Sequence, residues 1–325
     1  MQTAEGIEKI KPPESLQKMQ TKRIRKNTGK ILGAKDLTAY SFTVYIMLPL
    51  LPLLVFWFIP MTVSLMLSFT DWDYISPHFN IVGIQNYKDI LGSASFWQAF
   101  TNTILFGFGT VVPTLAIGFL MALMIDKIRR GREIFQGFLF APWITPMVAM
   151  SIVWSWMFRP GEGLINYCMS FFGIQGPNWL SDPNTALIAV MTVTVWKTSG
   201  WAMLYYADAI SKIPEDLFEV GSLEGANAFQ RIRYIYLPMT MKTTLFLAVI
   251  SMINSIQAYD QISVLTRGGP AGSTRTLLYL FYQMAFEQFN MGKATAVAMI
   301  MVLLTALLAG LMFFAQSKLT GRERK

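Results

Sequence analysis

Six long stretches of this 325-residue chain are nearly free of charged residues, and shorter polar segments separate them. They lie within 37–70 and at about 97–125, 134–158, 185–208, 239–260 and 294–317. Each stretch has about 20 residues or more, enough for a helix to cross roughly 30 Å of hydrocarbon. The pattern therefore predicts an all-α integral membrane protein with six transmembrane helices.

The composition supports a membrane protein and argues against catalysis. Charged residues make up 14% of the chain, against roughly 25% in a typical soluble domain. Because Cys168 and His78 are the only residues of their types and both fall in predicted outer loops, an intramembrane enzyme would lack a catalytic pair at depth. We expect no catalytic residue, no metal site and no cofactor bound by this chain.

The distribution of lysine and arginine predicts the orientation. Of the 27 basic residues, 21 flank one set of span ends, five flank the other set, and Lys197 lies inside a span. Since basic loops stay on the cytoplasmic side, both termini and the loop 213–238 are predicted to be cytoplasmic. The predicted domains are a basic arm at 1–38, a membrane domain at 39–318 and a tail at 319–325. The arm is expected to lie near anionic lipid rather than nucleic acid.

The loop 211–238 has the pattern of a polar helix-turn-helix. Its first helix has an apolar stripe at a spacing of three (Leu217, Val220, Leu223). Gly225 permits the reversal, Asn227 can cap a second helix, and Pro238 is predicted to break that helix where the fifth span begins. Two interpretations fit: a surface hairpin packed on its own membrane ends, or a docking element for a soluble partner.

The same loop resembles the EAA loop of permease subunits in ATP-binding cassette (ABC) importers. The family pattern is E-A-A, three residues, G, about nine residues, and a hydrophobic-Leu-Pro close. Here it is Glu219-Val220-Gly221, then Gly225, then Ile235-Tyr236-Leu237-Pro238. Val220 and Gly221 replace the two alanines, and Glu224 stands where Asp is usual. The resemblance implies an ATPase-coupling role for Glu219 and Gly225.

Other segments extend the resemblance to permeases of the carbohydrate, maltose-type importers. They include "VGIQNYKDIL" (82–91), "RGREIFQGFLFAPWITP" (130–146) and "QISVLTRGGPAGST" (261–274), in order within about 40–317. The resemblance implies the type I importer fold and half of a translocation path for an oligosaccharide. It also implies a second homologous permease subunit, two ATP-binding cassette ATPase subunits, an external solute-binding protein and a bacterial inner-membrane location.

The energy source must lie elsewhere if this protein is an active transporter. No G-x-x-x-x-G-K-[ST] motif occurs in the sequence, so ATP and Mg would bind the partner ATPase subunits. The alternative is a self-contained secondary carrier or channel. Such proteins usually show an internal repeat, and none is evident between the halves of this chain.

Lys197 is the charged residue nearest the predicted bilayer centre, where a lone lysine costs roughly 3 kcal/mol. No carboxylate lies at comparable depth in the other spans, so we expect its partner to be a second subunit, water or the solute. A solute ligand there predicts an acidic, for example uronate-containing, oligosaccharide. Structural pairing is the alternative role for this lysine.

The resemblance implies sugar contacts at eight positions on the fourth and fifth spans. These are Thr194, Lys197, Thr198 and Trp201 on the fourth span, and Ser251, Asn254, Ser255 and Ala258 on the fifth. Residues at Lys197, Asn254 and Ala258 depart from the maltose-type template, which suggests a different sugar. For the small polar face of the fifth span, hydrogen bonding between helices is the alternative role.

Overall fold

A computed structural model describes residues 45–128 and 130–322, with side chains to residue 314. The predicted basic arm (1–38) lies outside these residues, and the predicted tail (319–325) is described only in its backbone to residue 322. Within the described residues the chain divides into two units, one that ends at Val63 and one that begins at Ser64. The predicted domain boundaries therefore stay predictions.

Most of the described residues are helical. In order they are α1 Tyr45–Leu67, α2 Gln85–Leu91, α3 Ala94–Asp126, α4 Arg132–Ile144, α5 Met147–Met157, α6 Leu164–Ser170, α7 Ala186–Ser211, α8 Glu215–Leu223, α9 Ala228–Met239, α10 Met241–Ile256, α11 Asp260–Leu265, α12 Leu277–Tyr282 and α13 Met291–Arg322. Within this part of the chain, β pairing is limited to one isolated bridge between Thr70 and Ile81. The predicted all-α class is confirmed.

Four helices, α1, α3, α7 and α13, are long and apolar enough to cross a membrane. Two further pairs, α4 with α5 and α9 with α10, pass the same test together but are bent. The described residues therefore hold four spans, or six if each bent pair is one span, which agrees with the predicted six.

The predicted third span, 134–158, is wrong as a single helix. α4 and α5 meet at an angle of 94° around Thr145 and Pro146. Pro142 and Pro146 stand four residues apart, so the carbonyl of Pro142 faces a residue that has no N–H to donate. The Thr145 hydroxyl donates to that carbonyl at 2.7 Å, in place of the missing helical bond.

The predicted fifth span, 239–260, is shorter than expected. α10 has 16 residues, about 24 Å of helix, and joins α9 at a bend of 66°. The bend lies at Thr240, not at Pro238 as predicted. A π-helical turn at Ile232–Tyr236 widens the backbone just before Pro238. The wider turn relieves the clash between the proline ring and the preceding carbonyl, so α9 continues to Met239.

α3 and α7 pack against each other with almost no space between their backbones. A Cβ atom added to Gly118 on α3 would lie 2.7 Å from the Cβ of Ala202 on α7. Gly200 on α7 faces the backbone carbonyl of Leu139 on α4 even more closely. The Phe119 and Tyr206 rings meet edge to face at 5.3 Å between centroids. These contacts hold α3, α4 and α7 together and position the residues that line the cleft between them.

Candidate functional site

A narrow cleft with a cavity volume of about 40 Å³ lies between α3, α4, α7 and α10. Its lining residues are Thr110, Val111, Thr114, Trp143, Thr194, Thr198, Trp201, Ser251 and Asn254. Five of the eight predicted sugar-contacting positions meet here: Thr194, Thr198, Trp201, Ser251 and Asn254. They come together because α7 and α10 run side by side with these faces inward.

The hydroxyls on α3 and α7 are largely satisfied within the protein. Thr194 and Thr198 each donate to the carbonyl one helical turn earlier, at 3.0 Å and 2.8 Å. The hydroxyl oxygens of Thr114 and Thr198 lie 2.8 Å apart and link the two helices. In contrast, no hydrogen bond within the described residues engages the side chains of Ser251 and Asn254. These two groups are therefore free to bind a polar molecule in the cleft.

An aromatic row leads from the cleft toward the hairpin formed by α8 and α9. The Trp143 and Trp201 rings stack with centroids 5.3 Å apart and an interplanar angle of 21°. Tyr205 follows at 5.1 Å from Trp201, and Phe246 on α10 follows at 5.8 Å from Tyr205. Trp201 and Tyr205 continue the stripe of Thr194 and Thr198 along α7, so the row extends the lined face of the cleft.

Lys197 lies beside the cleft but its ammonium points to the break between α4 and α5. Its Nζ donates to the carbonyl oxygens of Pro142 (3.0 Å), Trp143 (2.9 Å) and Thr145 (2.5 Å). The expectation that its partner would be a second subunit, water or the solute is therefore wrong: backbone carbonyls of the same chain bind it. The acidic-solute hypothesis loses its basis, because it required a free ammonium.

Ser255 and Ala258 do not line the cleft. The buried Ser255 hydroxyl donates to the Met252 carbonyl at 2.8 Å. Ala258 is buried in an apolar cluster with residues of α3, α7 and α11. Ser255 is still within α10 and packs on α3, where a Cβ added to Gly107 would lie 3.2 Å from its hydroxyl oxygen. Ala258 lies beyond Ile256, the last residue of α10, so the helical periodicity on which the predicted face depended no longer applies to it.

Four lining residues were not predicted: Thr110, Val111 and Thr114 on α3, and Trp143 on α4. Thr110 and Thr114 stand four residues apart in an otherwise apolar helix, a spacing that puts both hydroxyls on one face. That signal was available in the sequence. Trp143 had no such signal, because its direction depends on the break that follows it.

The predicted helix-turn-helix at 211–238 is present as α8 and α9. Gly225 has a φ of +73° at the reversal, a conformation that glycine adopts without strain. Asn227 and Gln230 form a capping box at the start of α9, with bonds of 2.9 Å and 2.8 Å. Gly221 gives α8 room to approach Ile235 of α9, since an added Cβ would lie 3.3 Å from the Ile235 Cδ1.

The hairpin packs its two helices together but leaves large apolar side chains outside. The Phe218 and Tyr236 rings lie 5.1 Å apart between the helices. Leu223, Phe229 and Tyr234 are 88%, 74% and 73% exposed, respectively. Glu219 is exposed on α8. The predicted apolar stripe is thus not the packing face of the hairpin: Phe218, Gly221 and Ser222 are the α8 residues that contact α9.

In the described part of the chain, no three His, Cys, Asp or Glu side chains are grouped so that they could hold a metal ion. An ion pair joins Lys293 to Asp89 at 2.8 Å. Hydrogen bonds from Lys293 and Gln85 hold the pKa of the Asp89 carboxyl below its ordinary value. This pair ties α13 to α2.

Comparison with solved structures supports the fold. A crystal structure of a bacterial ABC transporter involved in the import of the acidic polysaccharide alginate contains a chain that matches with a TM-score of 0.74. That match covers 85% of this chain and 96% of the other, at 21% identity. The fold is that of type I importer permeases, as predicted.

Sequence comparisons extend over most of the chain. A probable ABC transporter permease protein of Pyrococcus horikoshii is 31% identical over 80% of this chain and 91% of its own length. The trehalose/maltose transport system permease protein MalF of Thermococcus litoralis is 30% identical over 75% of this chain and 82% of its own length.

A protein-family profile matches residues 114–321, which include most of the cleft, the hairpin and the last span. Its description is "Binding-protein-dependent transport system inner membrane component". The family comprises ABC transporter permease subunits rather than enzymes, and its members are multi-pass membrane proteins. The predicted resemblance is confirmed, and this chain belongs to the family of inner-membrane components of binding-protein-dependent transport systems.

Proposed function

We propose that this chain forms half of the translocation path of an ATP-driven oligosaccharide importer. A second, homologous permease would supply the other half, and an external binding protein would deliver the sugar. Two ATPase subunits would bind ATP and Mg and drive the conformational cycle. The chain itself makes or breaks no bond, and its role is to bind the solute and transmit movement.

The observation that carries the proposal is the cleft. Ser251 and Asn254 lack hydrogen bonds within the described residues, and polar groups at membrane depth are costly unless they are used. Trp143 and Trp201 form an aromatic wall beside them. A sugar offers hydroxyls to polar groups and positively polarised C–H faces to aromatic rings, whose faces are negative. Both kinds of partner stand in one cleft.

The relatives favour a sugar over other polar solutes. The Thermococcus litoralis relative is named for trehalose and maltose, and the structural match belongs to an alginate transporter. Of the eight positions predicted to contact sugar, Lys197, Ser255 and Ala258 do not line the cleft. We assign the solute contacts to the other five, which line the cleft, together with Thr110, Thr114 and Trp143.

The hairpin would be the contact with the ATPase subunits. Leu223, Phe229 and Tyr234 present a large apolar surface that the described residues of the hairpin do not cover. Glu219 is on the same exposed helix, and Gly225 sets the turn that orients α8 against α9. Because the predicted orientation puts this hairpin in the cytoplasm, a cytoplasmic ATPase is the partner that it fits.

The solute contacts are tested by oligosaccharide uptake into proteoliposomes that contain the whole complex. Asn254→Leu should raise the KM about tenfold, since a lost hydrogen bond that leaves its partner unsatisfied costs about 1–3 kcal/mol. Thr194→Val and Thr192→Val are a matched pair: both hydroxyls bond to the carbonyl four residues back, but only Thr194 lines the cleft. An equal effect of the two threonine changes would contradict the assigned cleft.

The coupling role is tested with Glu219→Lys. We expect it to abolish uptake and to leave ATP hydrolysis uncoupled from transport, with normal membrane insertion. Glu162→Lys, the same charge change at an exposed loop position away from the hairpin, is the control. Normal uptake by Glu219→Lys, or uptake by this chain without an ATPase subunit, would favour the self-contained carrier or channel.

A further inference from the structure

The break between α4 and α5 exposes a set of carbonyl oxygens. The last carbonyls of any helix have no partner within it, and they give that end a partial negative charge. Here α4 ends at Ile144, and Pro146 has no N–H with which to bond the Pro142 carbonyl. The Thr145 hydroxyl supplies one donor to this carbonyl, and a cation from another element is well suited to bond the cluster of carbonyls at the break.

Lys197 on α7 supplies that cation. Its ammonium has three N–H bonds, and three carbonyl oxygens accept them, from Pro142, Trp143 and Thr145. Its donor capacity is therefore used in full, which leaves no N–H for a carboxylate of the solute. The charge also lies at the negative end of α4, where the helix dipole stabilises it.

The same lysine lies next to the aromatic wall of the cleft. Its Nζ is 5.7 Å from the centroid of the Trp143 ring, within the range of a cation–π contact. Trp143 in turn stacks on Trp201, which is four residues beyond Lys197 on α7. Lys197 thus fixes the backbone of Trp143 and contacts its ring. Trp201, the other ring of the wall, lies on α7 together with Lys197.

We propose that Lys197 is a positioning residue that ties the broken third span to α7 and sets the Trp143–Trp201 wall of the cleft. It acts on the solute through Trp143 and is not a ligand for an acidic group. Its transport consequence rests on the proposed function: removing the ammonium weakens binding of neutral and acidic oligosaccharides by the same factor.

The wall itself can be measured without transport. The near-ultraviolet circular dichroism of stacked indoles differs from that of separate ones, and the difference between wild type and Trp143→Phe isolates this pair among the nine tryptophans. We expect Lys197→Met to lose the same signal. Lys212→Met is the matched control, since Lys212 is the C-cap of α7 and its ion pair with Asp208 is exposed. It should keep the signal.

Uptake by the whole complex supplies the second readout. Lys197→Met should raise the KM for a neutral and a uronate oligosaccharide by equal factors, within twofold. In a Trp143→Ala background the same change should add little, because the residue through which Lys197 acts is gone. Lys197→Arg retains the charge and the donors, so it should retain the dichroism signal even if Lys197→Met does not fold.

Two results would overturn the proposal. One is a Lys197→Met protein that keeps the dichroism signal and loses uptake of the uronate sugar tenfold or more relative to the neutral one. The other is a full effect of Lys197→Met in the Trp143→Ala background. If the wild-type complex imports no sugar, the proposed function fails, while the dichroism still decides whether Lys197 holds the wall.

Discussion

The two ends of the helical bundle satisfy their polar and apolar groups in opposite ways. At the end that holds the loop 266–276, side chains bond to the loop backbone: Asn102 donates to the carbonyls of Gly272 and Arg275 at 2.8 Å and 3.0 Å. The Thr103 hydroxyl accepts from the Leu277 N–H at 2.9 Å. The loop 266–276 is thus closed against the bundle by its own chain.

At the hairpin end, the backbone is satisfied but large apolar side chains are left uncovered. Its backbone is well capped and its turn is fixed, but Leu223, Phe229 and Tyr234 remain exposed. Rigid support beneath uncovered apolar side chains is typical of an interface, because a preformed surface loses little entropy on binding. The comparison teaches that the loop 266–276 is stabilised from within, whereas the hairpin keeps an apolar surface of the kind that fits a partner.

The largest expected effect comes from the exposed end. Leu223→Asp should leave the free energy of unfolding nearly unchanged, because surface substitutions usually alter it by about 0.5 kcal/mol or less. It should reduce ATP-driven uptake by more than about tenfold, since loss of a central interface side chain costs about 2 kcal/mol. Co-purification with the ATPase subunits measures the contact directly. Leu223→Met, which keeps the apolar surface, is the control, and normal co-purification of the Asp variant would remove the distinction between the ends.

An intermediate effect is expected at the closed end. Asn102→Leu leaves two loop carbonyls without their donor, so the free energy of unfolding should fall by about 1–3 kcal/mol. Chemical denaturation in detergent, followed by far-ultraviolet circular dichroism, measures this. Gln98→Leu removes an exposed bond to the same loop, at Ala271, and should cost less. Equal losses from the two variants would mean that burial at this end contributes nothing.

The smallest effect concerns pH. Since its partners lower the pKa of Asp89, the carboxylate stabilises the folded state above the unfolded pKa of about 4, and this contribution is lost as the pH falls through the lower folded value. Denaturation between pH 7 and pH 3 should show a steeper loss for wild type than for Asp89→Asn. Lys293→Met should remove most of the difference. Identical pH profiles of wild type and Asp89→Asn would show that the ion pair is too exposed to matter.

Helix positions and the hairpin were largely predictable, because their signals are local. Charge-free length located the spans, and Gly225 and Asn227 gave the turn and the cap. The break in the third span was not predicted, because the segments on both sides of Thr145 are apolar and hydropathy takes no account of missing hydrogen-bond donors. The two prolines four residues apart were its sequence signal.

The site was only partly predictable for a different reason. Spacing along α7 and α10 identified five lining residues, because helical faces follow from sequence. The partners of Lys197 were missed because they are backbone carbonyls, which every residue carries and no side chain marks. Ala258 was misplaced because it lies beyond the end of α10, and Ser255 because its packing against Gly107 of α3 is a tertiary contact.

The glycine contacts at Gly118 and Gly200 have a consequence for motion. With no space for a methyl group at either crossing, α3, α4 and α7 cannot slide past one another without separating. During an alternating cycle they would have to travel as a single block, and the hinges would lie at its borders. Pairs of spectroscopic labels placed inside this block should therefore keep a constant distance throughout turnover.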